Sequence, residues 1–239
     1  MISFSDTYEL IQKEYCIFLN NHSNTNIVFF GNCQVVPIAY YLNSITKDYN
    51  IYIILSWVFL KEGFEKYNMI DVNNKLQTII KKCDALIYHT HNTDYGIYAN
   101  DVSNRIPKKS IKINIPNLQL HFVCDNSDKF WLSLNILKVS IKNSDLKNFI
   151  FIGNNYNKIR FFNTNEHPTH FIMYLMASNI YYKITKSTKE IRIKDYFSKE
   201  SREKFYKIKE HVILPGKEEL NDEITRLTGI SKDVDYFDI

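Results

Sequence analysis

The stretch Asn26-Ile-Val-Phe-Phe-Gly-Asn-Cys-Gln-Val-Val-Pro37 decides the fold of this 239-residue chain. It opens with an apolar, β-rich run, turns sharply at Gly31 and continues as a helical pattern. A helix tolerates proline only within its first turn, so Pro37 places the helix start at Cys33 or Gln34. The stretch therefore predicts a strand, a tight turn and a helix that runs to about Ser44.

Cys33 lies at the start of this predicted helix. The first amides of a helix have no intrahelical acceptor, so those of Asn32, Cys33 and Gln34 point outward above the end of the strand. This position favours a thiolate, which makes Cys33 a candidate nucleophile, and the amides could hold an oxyanion or a phosphate. The alternative is that Cys33 is a small apolar side chain that closes the strand against the core.

The composition indicates a soluble globular protein. With 45% hydrophobic residues, the chain is long enough for one sizeable core, or for one domain with a small appendage. No stretch approaches the roughly 18 apolar residues that a membrane span needs. The first residues lack a basic region followed by an apolar one, so we expect no secretory signal and a cytoplasmic location.

Charge and cysteine content exclude other classes of function. The four cysteines are scattered without CxxC spacing, which argues against a disulfide framework and a zinc site. The net charge of +4 comes from dispersed lysines and arginines rather than from a basic stripe. We therefore expect no nucleic-acid partner, and an anionic small ligand suits the mild positive charge.

Alternating apolar runs and helical patterns follow the first helix. Residues 51–57, 84–91 and 110–115 are predicted strands, residues 72–82 a helix, and residues 6–20 a leading helix. This alternation predicts an α/β fold with a doubly wound, mainly parallel sheet. Ligands of such sheets bind beyond the carboxyl ends of the strands, where residues 31–34, 89–92 and 114–119 fall.

The second half of the chain contains one informative histidine. Residues 129–149 are predicted to be helical, with Leu132, Ile136, Leu137 and Val139 on or near one face, and residues 149–153 to be a short strand. Pro168 at a first helical position places His167 at or beside the N-cap of a buried helix. The alternative is that His167 merely caps this helix while His170 faces solvent.

The chain becomes more charged after residue 183. Residues 198–211 and 218–227 are predicted amphipathic helices. We therefore divide the chain into an α/β domain, residues 1–183, and a C-terminal helical extension, residues 184–239. The extension is expected to pack on the main domain or on a second subunit, and it could support a homodimer.

Four motifs follow one another over residues 26–182. The first two are Gly31-Asn32-Cys33-Gln34 after a predicted strand and Cys83-Asp84 at the start of another. The last two are Ile113-Asn-Ile-Pro116 at a strand end and Phe161-Phe-Asn-Thr-Asn-Glu-His167-Pro168-Thr169 at a predicted helix start. Together they resemble the WcbI-like polysaccharide-biosynthesis acetyltransferase family. The family's usual Asn-His-Pro-Thr is interrupted here by Glu166. The resemblance implies an α/β layout related to SGNH-type hydrolases. It also implies that the protein binds acetyl-CoA and acetylates a sugar or nucleotide sugar of a surface polysaccharide.

Acyl transfer from a thioester needs a base and donors for the oxyanion. His167 is the expected general base, with Glu166 as one group that could orient its ring. The amides of residues 32–34 and the side chains of Asn32 and Gln34 are the expected oxyanion donors. Cys33 either carries the acetyl group or only shapes the pocket. We favour direct transfer, since exchanging one thioester for another gains little.

The remaining expected site residues bind substrates. His89, His91 and Asn92 are expected to bind the sugar hydroxyls or to help the base, and Gly31, Lys158 and Arg160 to bind the coenzyme. A metal held by His89, His91 and Asp94 is a weaker alternative, and we expect no metal. Arg105, Lys108 and Lys109 are further cations at which phosphates could bind, although a solvated surface is the simpler role for most of them.

Two other functions compete with the transferase. One is an SGNH-type acyl esterase with Cys33 in place of serine, which would turn over simple acyl esters without coenzyme A. The other is a catalytically silent sugar- or nucleotide-binding module, whose binding would survive loss of both Cys33 and His167. The sequence leaves the acceptor open, as a hydroxyl or an amine of a free, nucleotide-linked or polymerised sugar.

Overall fold

A computed structural model of the chain describes residues 16–56, 73–89, 95–124, 130–155, 160–163, 167–186, 198–210 and 225. Its main sheet has five strands in the order β1-β3-β2-β4-β5. β1 runs antiparallel to β3, and the other pairs are parallel. The strands are β1 Ile17–Leu19, β2 Asn26–Gly31, β3 Asn50–Leu55, β4 Ala85–His89 and β5 Ile111–Ile115.

β2 is the central strand, and its sequence explains why. Ile27 and Phe29 point into one apolar cluster, and Val28 and Phe30 point into the other. All four side chains are at most 1% exposed. A strand that is covered on both faces of its sheet needs a continuous apolar run. The sequence of β2 therefore suits the centre of a parallel sheet.

Helices cover both faces of the sheet. They are α1 Val35–Ile45, α2 Asn74–Lys81, α3 Tyr95–Arg105, α4 Asn135–Asn143, α5 Ile150–Asn155, α6 His170–Ile184 and α7 Lys199–Lys209, with a 3-10 helix at Lys147–Phe149. α2 and α3 pack on the face of Val28 and Phe30. α1, α4 and α6 contribute to the cluster on the opposite face. The fold is therefore α/β with a mixed sheet, and it is compatible with a three-layer arrangement.

A small antiparallel hairpin follows the main sheet. It consists of β6 His121–Cys124 and β7 Phe130–Ser133, with Cys124 opposite Phe130. The predicted helix over residues 129–149 is therefore wrong at its start, and among the described residues of that range only α4 is an α-helix. Its buried residues are Leu137 and Ile141, whereas Ile136 and Val139, expected on the inner face, are 44% and 42% exposed.

Two further predictions about elements are wrong. Residues 17–19, expected within the leading helix, form β1, and the residues before Cys16 lie outside the described part of the chain. The reason is that β1 pairs with its neighbour β3 in the sheet, and the ring centroids of Phe18 and Tyr52 are stacked 4.5 Å apart. Such non-local pairing overrides helical spacing. Residues 149–153, expected as a short strand, are helical.

The helix that follows residue 197 packs on the main unit through a buried aromatic side chain. Phe205 of α7 is fully buried, and its ring lies 5.4–6.2 Å from those of Tyr41, Phe171 and Tyr174 on α1 and α6. The described helix of the predicted extension therefore packs on the α/β unit. The division at residue 183 stays a prediction, and the helix predicted over residues 218–227 lies outside the described residues except for Thr225.

None of the helices in the described part of the chain combines the length and the apolar character that a membrane crossing requires.

Candidate active site

The turn after β2 is built on a close contact with His89. A side chain added at Gly31 would lie 2.4 Å from Cδ2 of His89 and 2.8 Å from Cγ1 of Val35. The carbonyl of Gly31 accepts hydrogen bonds from the amide and the hydroxyl of Ser56, at 2.8 and 3.1 Å. Position 31 therefore has to be glycine for the chain to turn this tightly at the carboxyl end of β2.

Asn32 closes the turn with its side chain. Its Oδ1 accepts a hydrogen bond from the amide of Gln34 at 3.0 Å, in the local pattern by which asparagine stabilises turns. Its Nδ2 donates to Oδ1 of Asn117 at 2.9 Å, in the loop after β5. α1 then begins at Val35, with Gln34 at the N-cap, so the helix starts one or two residues later than predicted.

The fold brings Cys33 and His167 together. Sγ of Cys33 lies 3.4 Å from Nε2 of His167, although the two residues are 134 positions apart in sequence. Cys33 is half-buried and His167 is exposed, so the pair is accessible from solvent. A thiol within hydrogen-bond reach of an imidazole is the arrangement that activates a cysteine nucleophile or holds a general base beside it.

Backbone hydrogen bonds hold His167 in place. Its carbonyl accepts from the amide of Asn163 at 2.9 Å, and the amide of Thr169 donates to the carbonyl of Phe161 at 2.8 Å. Between these two bonds, Phe162 and Pro168 form an isolated antiparallel bridge. The backbone of His167 is therefore held by antiparallel pairing with residues 161–163.

The sequence placed the start of α6 too early. The helix begins at His170 with Thr169 at the N-cap, so Pro168 precedes the helix and His167 does not cap it. His170 is 8% exposed, and its Nδ1 lies 3.3 Å from Oη of Tyr41 on α1. The alternative of a capping His167 and a solvent-facing His170 is therefore wrong on both points.

α1 and α6 pack against each other and begin beside the two reactive residues. Tyr41 of α1 makes edge-to-face contacts with His170 and Tyr174 of α6, at 6.4 and 5.9 Å between ring centroids. α1 follows Cys33 by two residues, and α6 follows His167 by three. Because the amino end of a helix carries partial positive charge, two such ends favour an anion over the pair.

The side chain of Gln34 has a structural role. It is 1% exposed, its Nε2 donates to the carbonyl of Leu118 at 2.9 Å, and its Oε1 accepts from the amide of Leu118 at 3.2 Å. These bonds fasten the loop after β5 to the start of α1. The predicted donation by this side chain to an oxyanion is therefore not supported by its placement.

His89 also serves the architecture. It ends β4, has no exposed surface, and places its ring against Gly31. The predicted contact between His89 and a sugar is therefore not supported. Its neighbours in that prediction, His91 and Asn92, lie outside the described residues, as does Asp94 of the metal alternative. Among the residues that the structure describes, no three His, Cys, Asp or Glu side chains are grouped to hold a metal.

The expected coenzyme contacts are only partly described. Gly31 and Arg160 are within the described residues, and Lys158 is outside them, as are Asn165 and Glu166. Nη2 of Arg160 donates to Oδ1 of Asn163 at 3.3 Å, on the segment that leads to His167. The role of these residues in binding coenzyme A stays a prediction.

Asn117 is a site residue that the sequence did not single out. It joins Asn32, the neighbour of Cys33, to α4, because its own amide donates to Oγ of Ser140 at 2.8 Å. Its position directly after Pro116, at the end of β5, is the signal that could have identified it. A polar residue that follows a parallel strand lies at the edge where ligands bind.

These groups can perform acyl-transfer chemistry. The imidazole can accept a proton from the thiol or from an acceptor hydroxyl, and the Asn32 carboxamide and the helix N-termini can stabilise an oxyanion.

Comparisons with protein-family models, with curated proteins and with solved structures gave no match for this chain.

Proposed function

We propose that this protein is an acetyltransferase that moves the acetyl group of acetyl-CoA onto a hydroxyl or amino group of a sugar, free or nucleotide-linked. The motifs that resemble the WcbI-like family suggest this activity. The observation that carries the proposal is the 3.4 Å contact between Cys33 Sγ and His167 Nε2, on an accessible edge of the sheet. A reactive thiol beside a base is a poor fit to a module that only binds.

The order of the strands supports a position for the proposed site in the sheet. Without the antiparallel β1, the strands run β3-β2-β4-β5, so the chain steps from β2 to one side and then to the other. This order is the one with which a doubly wound, flavodoxin-like sheet would begin, and ligands of such sheets bind where the direction reverses. We infer the same layout here, with the Cys33 turn at the reversal point and an SGNH-like arrangement of the site.

In direct transfer, His167 Nε2 removes the proton from the sugar hydroxyl or amine. The acceptor atom attacks the thioester carbonyl carbon, and the resulting oxyanion is stabilised by the Asn32 carboxamide and the turn amides. Collapse breaks the carbon–sulfur bond, and the coenzyme A thiolate takes up the proton from the imidazolium. Gly31, Lys158 and Arg160 are the residues proposed to hold the coenzyme.

In the two-step route, His167 instead removes the thiol proton of Cys33, whose sulfur attacks the acetyl carbon and displaces the coenzyme A thiolate, which takes the proton from the imidazolium. His167 then removes the proton of the sugar acceptor, which attacks the Cys33 thioester. The carbon–sulfur bond breaks, and the released Cys33 sulfur takes up that proton. Both routes use His167 as the base and the same oxyanion donor, but only the two-step route uses Cys33 as a nucleophile. Intact-mass detection of an acetylated Cys33 in the wild type, with loss of activity in Cys33→Ala, would establish the two-step route. Full activity of Cys33→Ala would establish direct transfer.

The proposal is tested by release of free coenzyme A from acetyl-CoA in the presence of a panel of sugars and nucleotide sugars. We expect release that depends on both acceptor and His167. In a parallel thermal-shift screen, a ligand at 100 times its dissociation constant should raise the unfolding free energy by about 2.7 kcal/mol. Acetate release without any acceptor would indicate an acyl hydrolase instead. Sugar or nucleotide binding without turnover, retained when Cys33 and His167 are both replaced, would indicate a binding module.

A further inference from the structure

The hydrogen bond between Asn32 and Asn117 has a direction that its neighbours determine. Oδ1 of Asn32 accepts from the amide of Gln34, an obligatory donor, so this carboxamide presents its nitrogen to Asn117. A carboxamide nitrogen carries two hydrogens, and the bond to Asn117 uses one of them. The orientation of Asn32 beside Cys33 therefore depends on an acceptor that belongs to a different loop.

Asn117 is itself held firmly. Its amide donates to Ser140 on α4 at 2.8 Å, and the next residue, Leu118, exchanges two hydrogen bonds with the Gln34 side chain. The loop after β5 and the turn after β2 are thus joined by three hydrogen bonds. Asn117 is therefore a fixed point against which the Asn32 carboxamide can be oriented.

We propose that Asn117 is a positioning residue that aims the second Nδ2 hydrogen of Asn32 at the oxyanion formed during acyl transfer. This inference rests on the proposed function, because it assigns Asn32 as an oxyanion donor. Without the acceptor on Asn117, the carboxamide loses its fixed orientation while Cys33 and His167 keep their contact. A displacement of about 1 Å in such a group lowers rates by about 100-fold.

Two probes of the Cys33 sulfur separate this role from a purely structural one. With p-nitrophenyl acetate, the sulfur–acetyl bond forms, the ester carbon–oxygen bond breaks, p-nitrophenolate leaves, and His167 takes the thiol proton. This reaction passes through an oxyanion. With iodoacetamide, a sulfur–carbon bond replaces the carbon–iodine bond and no oxyanion forms. The ratio of the two rates at Cys33, followed by peptide mass mapping, reports oxyanion stabilisation without using coenzyme A or a sugar.

We expect Asn117→Ala to lower the acetylation rate about 10- to 100-fold while alkylation changes by less than about twofold. Asn32→Ala should lower acetylation about 100-fold or more, as loss of an oxyanion donor does. The double variant should be no slower than Asn32→Ala, because Asn117 acts through Asn32. Asn117→Leu removes the same acceptor with a side chain of similar size, and it serves as the second variant if the alanine protein does not fold.

Asn148→Ala is the matched control. Asn148 Nδ2 donates to Asn179 Oδ1 at 3.2 Å, so this variant also breaks a partly buried bond between two asparagine side chains. Neither probe rate should change in it.

Equal losses of acetylation and alkylation in Asn117→Ala would overturn the inference, since Asn117 would then only hold the turn. Additive effects in the double variant, or no effect of either substitution on acetylation, would overturn it too. Failure of the coenzyme A release assay alone would refute the acetyltransferase proposal and leave the probe ratio as an independent result.

Discussion

Cys33 follows the carboxyl end of β2, whereas Cys83 precedes the amino end of β4, the strand beside it in the sheet. Cys33 is half-buried and contacts His167. Cys83 is 1% exposed, and its thiol donates to the carbonyl of Ala85 at 3.1 Å. Burial raises the pKa of Cys83 to about 12, the neighbouring charge of Asp84 adds to the increase, and hydrogen bonds with the backbone at Val28 and Ala85 oppose it.

The difference between the two cysteines reflects the different surroundings at the amino and the carboxyl edge of the sheet. At the amino edge, polar groups serve to fasten loops: the carboxylate of Asp84 accepts from the amide of Asn26 at 2.9 Å, and the hydroxyl of Ser110 donates to the carbonyl of Cys83. At the carboxyl edge, a thiol and an imidazole meet where they are partly exposed to solvent. The same residue type is therefore a small apolar filler at one edge and a candidate reactive group at the other.

The largest expected effect separates His167 from His170, three residues away. His167→Ala should lower acetyl transfer by about 100- to 10,000-fold, the usual contribution of a general base. Because His167 is exposed, the free energy of unfolding should change by less than about 0.5 kcal/mol. His170→Ala should instead destabilise the fold by about 1–3 kcal/mol, since it removes the buried partner of Tyr41. Steady-state kinetics and urea unfolding of both variants measure the two effects. Equal loss of activity in a correctly folded His170→Ala protein would contradict this division.

The second effect compares the reactivity of the two thiols. A pKa raised from 9.0 to about 12 reduces the thiolate fraction of Cys83 about 1000-fold relative to an ordinary thiol. Iodoacetamide at pH 7.5 should therefore modify Cys33 at least 1000 times faster than Cys83 in the folded protein. Peptide mass mapping after timed quenching gives both rates from one sample. Rates within tenfold of each other would remove the distinction between the edges.

The third effect is the pH dependence of stability that Cys83 contributes. The folded state favours its protonated thiol, so the contribution is fully present below pH 9 and is lost as the pH rises towards about 12. The upper limit is about 4 kcal/mol, and about 2 kcal/mol should be lost by pH 10.5. Burial also raises the pKa of tyrosines such as Tyr174, which act in the same direction in wild type and variant alike.

Comparison of wild type with Cys83→Ala by urea unfolding at pH 8 and pH 10.5 isolates this contribution. The alanine variant should lose less stability over that interval by about 2 kcal/mol. Identical losses in the two proteins would show that Cys83 titrates as an exposed thiol does.

The fourth effect is the change in the free energy of unfolding when either of two glycines is replaced. Gly31→Ala forces a methyl group against His89 and Val35 and should destabilise the fold by about 1–3 kcal/mol. Gly153→Ala, inside α5, meets its nearest atom, Cγ of Lys138, at 3.4 Å, and should be neutral or stabilising by up to about 1 kcal/mol. Thermal unfolding of both variants tests this. A neutral Gly31→Ala would show that the His89 contact does not shape the turn.

The sequence predicted the elements that depend on local pattern. The strand, turn and helix at Asn26–Gly31 and Val35–Ile45 follow from an apolar run, a glycine and an early proline, which act within a few residues. The parallel strands β3, β4 and β5 were predicted within two residues of their observed ends, because runs buried on both faces are distinctive.

Features that depend on distant partners were missed. β1 has only three residues and is selected by pairing with β3. The hairpin of β6 and β7, α3, and the inner face of α4 were not predicted either, since each is decided by what packs against it. At the site, the placement of Cys33 and His167 in one site was expected from the motifs that carry the family resemblance. The burial of Gln34 and His89 was not, because it arises from the loop after β5 and from the Gly31 turn.

The central claim is that Cys33 and His167 act as one chemical unit. The rate of Cys33 alkylation by iodoacetamide at pH 7, compared between wild type and His167→Gln, tests it most directly. If the imidazole activates the thiol across the 3.4 Å contact, the variant should react at least about tenfold more slowly while it remains folded. An unchanged rate would mean that the two side chains are neighbours without chemical coupling, and it would contradict this claim.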